Sequence, residues 1–161
     1  MPNARESEGA FRRLVTHRKA LHDYQVLDRI EAGIELLGTE VKSLRQAQGS
    51  LIGSYVAIEE GEAFAMGVEI PAYECGNRFN HAPKRRRRLL LHKREIVRLA
   101  AHSEQQGHAL IPLSVYLKKG RVKLEVGVCR GKQQADKRET LKRKTAQREA
   151  DRAIAHHSRR A

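Results

Sequence analysis

The sequence predicts a mainly β fold, a small closed or nearly closed antiparallel barrel with two or three inserted helices, followed by a basic C-terminal arm. Three observations predict it. Short apolar runs of strand length recur between residues 24 and 129, separated by glycine-containing turns. Within the last of them Val122, Leu124, Val126 and Val128 share one parity, the two-residue period of a strand with one face buried. Beyond Gly131 the pattern stops: thirty-one residues hold ten Lys/Arg against four Asp/Glu, and Leu141 and Ile154 are their only apolar side chains larger than alanine. Such a segment cannot bury a core, so it is expected to be disordered when free and helical on a partner.

Taken in order, residues 1–16 mix charged and small side chains without a period and read as a flexible leader, the ordered body starting at His17. Tyr24, Val26 and Ile30 share a parity, and Gly33 precedes a second apolar run, Ile34 to Leu37. Two strands joined by a glycine kink fit this stretch. In GTEVKSLRQAQG, Thr39 is placed to cap a short helix, Val41 and Leu44 share a face, and Gly49 closes the segment. Tyr55 to Ile58 and Ala63 to Ile70 flank Glu59-Glu60-Gly61-Glu62, a hairpin turn. Pro71 to Pro83 reads as an exposed loop running into Lys84-Arg85-Arg86-Arg87-Arg88. From Leu89 to Gln106, Ile96, Leu99 and Ala100 fall at helical spacing among charges, and Gly107 stops an amphipathic helix. Leu110 to Leu117 and Arg121 to Cys129, joined by Lys118-Lys119-Gly120, form a second hairpin. The body thus spans 17–130 and the arm 131–161. In the arm Asp136 and Glu139 resemble a capping box, Glu139 and Arg143 an i,i+4 ion pair, and a helix over Asp136–Ala155 would be about 30 Å long.

The chain of 161 residues carries a formal charge of +13, of which the arm supplies +6, at a pI near 10.3. A polyanionic partner follows, because clustered cations release counterions from phosphates. Nucleic acid is favoured over a membrane: no apolar run approaches the length of a span, and the first residues lack the apolar stretch of a secretory signal, so a cytoplasmic address is expected. Cys75 and Cys129 form no CxxC pair and are expected to be reduced and structural, following the buried habit of free cysteine.

The run Lys84 to Arg88, continued by Lys93, Arg94 and Arg98, is read as a phosphate-contacting surface. Glu40-Val41-Lys42 has the Glu-x-Lys spacing of metal-dependent nucleases, with Asp23 or Asp28 as a second ligand. That chemistry needs both side chains on one side of a strand, whereas a helix separates them by about 200°. The eight histidines match no metal-binding spacing, so no metal, cofactor or catalytic residue is expected. With seven Phe and Tyr and no Trp, base stacking is poorly supplied, and recognition is expected to lean on phosphates and backbone shape, as suits a folded RNA.

Six strings, in order and with matching spacing, resemble the SmpB family (small protein B): HRKALHDY at His17–Tyr24, IEAG at Ile30–Gly33, GTEVKSLR at Gly38–Arg45, GNRFNH at Gly76–His81, LLLHKREI at Leu89–Ile96 and GKQQADKRE at Gly131–Glu139. The resemblance implies an OB-like barrel that is not an enzyme and that binds the tRNA-like domain of transfer-messenger RNA in trans-translation. Its implied partners are that RNA, alanyl-charged and in complex with elongation factor Tu, and the ribosome. The tail would occupy the empty mRNA channel by the small-subunit decoding centre, leading to tagging of the incomplete chain. By position it implies RNA-binding roles for Arg18, Lys19, His22, Glu31 and Leu90, to which the charge pattern adds Lys93 and Arg94, and ribosomal roles for Lys132, Asp136, Lys137 and Arg138. Glu31 would serve specificity, by accepting from a base amino group or ribose hydroxyl or by orienting neighbouring cations. His17, Leu21 and Gln133 depart from the family's asparagine, basic residue and lysine. A generic basic OB module and the Glu40/Lys42 nuclease are the rival readings.

Overall fold

The computed structural model describes residues 11–75, 80–132 and 134–160, in two units, Met1–Arg130 and Gly131–Ala161. In the first, strands β1 (Phe11–Thr16), β2 (Tyr24–Ile34), β3 (Tyr55–Glu59), β4 (Glu62–Met66), β5 (Arg87–Leu90), β6 (His108–Lys118) and β7 (Arg121–Gly131) form one sheet in the order β1-β6-β7-β2-β5-β4-β3. Helices α1 (Arg18–Asp23), α2 (Gly38–Arg45) and α3 (Lys93–Ser103) are inserted between strands. The sheet curls so that β3, at one edge, packs beside β6, which gives the OB-like barrel. Both hairpins have two-residue turns, Glu60-Gly61 and Lys119-Gly120, and all four residues have φ between 49° and 76°. Positive φ at both central positions is what a right-twisted two-residue hairpin requires, and glycine adopts it without strain at the second.

Alternation decides what goes inside. Ile30, Ala32 and Ile34 of β2, Ala63 and Ala65 of β4, Leu89 of β5 and Leu124, Val126 and Val128 of β7 share one core, which Leu44 of α2 and Leu99 of α3 close. A smaller cluster, Ala20, Ile111, Leu113 and Cys129, lies beneath α1, so the far end of β7 is covered on both faces. There Gly127 is needed for space: a Cβ would fall 2.6 and 2.8 Å from side-chain atoms of Leu113, itself 1% exposed. We expect Gly127→Ala to cost about 1–3 kcal/mol through overpacking, read as a lower urea midpoint at unchanged slope. An unchanged midpoint would mean that Leu113 has room to turn away.

Several expectations change. The sheet begins at Phe11, inside the expected leader, because β1 pairs with β6 from Phe11↔Lys118 to Thr16↔Ser114. Residues 18–23 form a helix too short to leave an apolar period. β2 runs unbroken through Gly33, so the glycine marks a close approach and no kink. Thr39 does not cap α2: its hydroxyl bonds the ring of His81 at 2.9 Å, while Glu40 takes the Leu37 amide at 2.8 Å. Helix α3 starts only at Lys93, since Leu89 and Leu90 belong to β5. Of the cysteines, Cys129 is buried, which pushes its thiol up to about 11, but Cys75 is exposed.

The second unit carries α4 (Gln134–Arg160), longer at both ends than the expected 136–155. From 138 to 158 its side chains are exposed apart from half-buried Thr140. Arg143 bonds Glu139 at 2.8 Å, the expected i,i+4 pair. The arm is thus helical in this structure, where its lack of an apolar stripe led to the expectation of disorder in the free protein.

Candidate nucleic-acid interface

Strands β6, β7, β2 and β5 lie side by side, and the side chains that alternation turns away from the core make one outer row. From β6 come Tyr116 and Lys118, from β7 Arg121 and Lys123, from β2 Glu31 and Gly33, and from β5 Arg88 and Leu90. Gly33 pairs with Leu90, and a Cβ on Gly33 would come within 3.0 Å of the Leu90 Cβ. The missing side chain lets Leu90 stand as a ridge, 54% exposed in the middle of the sheet. A concavity of about 630 Å³ borders the ridge, lined by Glu31, Gly33, Arg88, Leu90 and Lys123 among others. A second, of about 510 Å³, shares Gly33, Leu90 and Lys123 and adds Arg121.

Glu31 is fixed from two sides. The Tyr116 hydroxyl donates to its carboxylate, and the Lys118 ammonium lies 3.3 Å away. The Tyr116 bond, helped by Lys118 and the charge of Lys123 against partial burial, holds the Glu31 carboxyl below its ordinary range. Burial, with that same bond, pushes the Tyr116 phenol well above its own. Phe11 packs on the Tyr116 ring with centroids 4.9 Å apart. At neutral pH Glu31 is therefore an ionised acceptor that also orients a lysine, both roles expected of a carboxylate beside phosphates.

The expected RNA-binding residues fall in two places. Glu31 and Leu90 share the outer row, and Lys93 and Arg94 stand exposed at the start of α3, whose Glu95 and Ile96 line the larger concavity. Arg18, Lys19 and His22 are exposed on α1, at the other end of β2. Lys19 borders a separate cavity of about 400 Å³ with Tyr24 and with Tyr55, which is 52% exposed. Seven residues of extended strand, about 23 Å, separate Tyr24 from Glu31. His17 serves the fold from within. Buried, it bonds the Pro112 carbonyl through Nδ1 at 2.9 Å, fixing the chain between β1 and α1. In the second unit Lys132 is half-buried and Arg138 exposed, whereas Gln133 and the side chains of Asp136 and Lys137 lie outside the described residues, as does 76–79 of the GNRFNH string.

The basic run is a correction. Each of its five cations has a carboxylate within 4.0 Å: Lys84 with Glu69, Arg85 and Arg87 with Glu40, Arg86 with Glu59, Arg88 with Glu62. Arg86 also stacks on Phe64, 3.9 Å from the ring centre, and Arg87 is fully buried. The run is thus half strand, half connector, and largely neutralised. Glu40 is buried between two guanidiniums while Lys42 is exposed beside the Tyr73 ring, so the Glu-x-Lys pair shares no face and forms no nuclease site. Besides Arg88, which is paired with Glu62, the cations on the outer row are Lys118, Arg121 and Lys123, which the density of charge along the sequence does not single out. Their alternation with Val122 and Leu124 signalled which way they point, but not which strands would lie beside them.

The family model described as SmpB protein matches residues 14–156. The chain belongs to the SmpB family. Among curated relatives, the SsrA-binding protein of Corynebacterium efficiens is 50% identical over 141 residues, 88% of this chain and 86% of its own. That of Clostridium botulinum is 51% identical over 146 residues, 91% and 94% of the two chains. A solved chain from work described as "tmRNA-SmpB: a journey to the center of the bacterial ribosome" superposes with a TM-score of 0.65 at 42% identity, covering 79% of this SmpB chain and 93% of that one. Departures at Leu21 and His17 leave the SmpB fold intact, the first exposed on α1 and the second taken up by Pro112.

Proposed function

We propose that this chain is a non-enzymatic adaptor of trans-translation: it binds the tRNA-like domain of transfer-messenger RNA and brings it to stalled ribosomes. One observation carries the reading. Glu31 and Leu90, distant in sequence, meet on a solvent-facing row bordered by cations, in a chain whose relatives are SsrA-binding proteins. A fixed acceptor, an apolar ridge and neighbouring ammonium groups suit a folded RNA, which offers ribose hydroxyls, base edges and phosphates together. On this reading the protein works in the cytoplasm, alongside elongation factor Tu carrying the charged RNA. Lys132, Asp136, Lys137 and Arg138 begin a tail that enters the mRNA channel by the decoding centre, while Arg18, Lys19 and His22 meet RNA at the far end of β2. Among the described residues no helix is long and apolar enough to cross a membrane.

The test is competition at physiological salt between labelled transfer-messenger RNA and unlabelled bulk tRNA. We expect the tRNA to compete poorly, at a large excess only. Competition at parity would replace this reading with a generic basic RNA-binding module.

A further inference from the structure

Glu31 also borders a recess of about 290 Å³ that neither Leu90 nor the basic run lines. Four strands wall it: Phe11 and Arg13 stand on β1, Ser114 and Tyr116 on β6, Glu125 on β7 and Arg29 on β2. Strand pairing sets Arg13 opposite Tyr116 and Ser114 opposite Glu125. The acceptors are held in place. Buried Ser114 donates its hydroxyl proton to Glu125 Oε2 at 2.9 Å, and Arg29 donates from Nη1 to Oε1 at 2.9 Å. A carboxylate offers about four lone-pair sites, so both Glu125 oxygens keep capacity for a ligand. The half-exposed Phe11 ring, packed on Tyr116, gives an aromatic wall, and exposed Arg13 a cationic rim. Two arginines balance two carboxylates, which leaves the lining without net charge.

We propose that this recess is a nucleobase subsite, taking one unstacked guanine whose adjacent N1–H and N2–H donate to Glu125 while Phe11 covers the ring and Arg13 meets the phosphate. Its volume is near the lower limit of ligand pockets, about 300 Å³, so it admits one small ring system and no longer stretch of chain. Guanine alone among the four RNA bases presents two neighbouring donors on its Watson–Crick edge. Uracil would turn a carbonyl oxygen on the carboxylates, and adenine or cytosine a ring-nitrogen lone pair. Splayed bases of a folded RNA are commonly taken on aromatic side chains and read along that edge. An arginine of a basic protein has a similar pair of donors, but Arg13 and Arg29 repel its charge, whereas a nucleotide brings a phosphate to Arg13. The biological ligand, a folded RNA, rests on the proposed function; the subsite itself is read with free nucleotides.

The experiment titrates the isotopically labelled full chain with guanosine 5′-monophosphate and, separately, uridine 5′-monophosphate, following NMR signals of the Phe11 ring and the Ser114 amide. The guanine nucleotide should shift both saturably, with an affinity about tenfold above that of the uracil nucleotide, the order of one charge-assisted hydrogen bond. Phe11→Ala should weaken guanosine monophosphate by about fivefold or more, the lower range of a base stacked on an aromatic ring. Phe11→Leu, which keeps apolar packing on Tyr116, should show the same weakening and serves where the alanine variant melts lower. Glu125→Gln keeps the shape of the side chain and should bring the two nucleotides to equal affinity. Equal shifts with both nucleotides in the wild type, shifts confined to the Leu90 side of the sheet, or a guanine preference that survives Glu125→Gln overturns the assignment. Displacement of the nucleotide by N-acetylarginine amide also overturns it, and gives the recess to a basic protein. Bulk tRNA competing at parity with transfer-messenger RNA would remove the proposed function and leave a guanine preference here standing; loss of that preference alone would do the reverse.

Discussion

Glu40→Ala is expected to lower the unfolding free energy by about 3–5 kcal/mol, the cost of leaving a buried guanidinium without its counter-charge. Arg87 is fully buried in the barrel, and besides Glu40 it donates to the carbonyls of Val68 at 2.6 Å, Arg85 and Pro83, both at 3.1 Å. Glu40 in turn accepts from Arg85, Arg87 and the Leu37 amide. One carboxylate thus joins the start of α2, the strand that carries Leu90 and the connector before it. Burial alone would raise the Glu40 carboxyl, but the bonds from Arg85, Leu37 and Arg87 and the charge of Arg87 outweigh it and hold the group below its ordinary range. Burial likewise draws Arg87 down, against the pull of Glu40, though a guanidinium remains charged. The sign for pH follows. A carboxylate whose folded pKa is depressed contributes stability that is present above its unfolded value, about 4.3, and is lost as pH falls through the folded one. The gap between wild type and variant in urea denaturation should therefore be full at pH 7 and close in acid below pH ~4. A loss under about 1 kcal/mol at pH 7 would show that the cluster reopens to water and that β5 does not depend on it.

The same cluster explains what the sequence could and could not disclose. Periodicity located both hairpins and the core parity of β7, because a strand with one buried face writes its orientation into every second residue. The tail boundary was equally legible from composition, and the resemblance placed Glu31 and Leu90. Charge was misleading where it was densest. Five consecutive cations look like a phosphate surface, yet their carboxylate partners, Glu69, Glu40, Glu59 and Glu62, lie 15 to 47 positions upstream, and only the tertiary fold brings them together. Arg121 and Lys123 looked like ordinary hairpin residues, since their place beside Leu90 is set by strand order and not by local pattern. Gly33 reads locally as a break in an apolar run, and its role, leaving room for Leu90, depends on pairing with a residue 57 positions away. Local pattern fixes which way a side chain points; what it meets there is a property of topology.

Truncation after Arg130 should leave affinity for transfer-messenger RNA within about threefold of the full chain at low salt while abolishing tagging of stalled polypeptides. The outer row, its ridge and its concavities are built wholly from residues before Gly131. Helix α4 supplies none of them and has no face with which to hold a core. Leu141 and Ile154, 49% and 68% exposed, are thirteen residues apart, about 220° around a helix, so they form no stripe. Local pairs such as Arg143–Glu139 and Gln147–Asp151 add about 0.2–0.5 kcal/mol each, which favours helix without securing it in water. A charged channel walled by RNA phosphates would supply the missing stabilisation, since the arm carries six net positive charges and good helix formers. Circular dichroism of the full chain minus the truncated one should accordingly show helix content for the arm below that of α4 in buffer and rising on addition of empty ribosomes. Tagging that survives truncation would remove the arm from the mechanism. Parallel loss of binding and tagging would instead mean that the two units act as one RNA-binding surface.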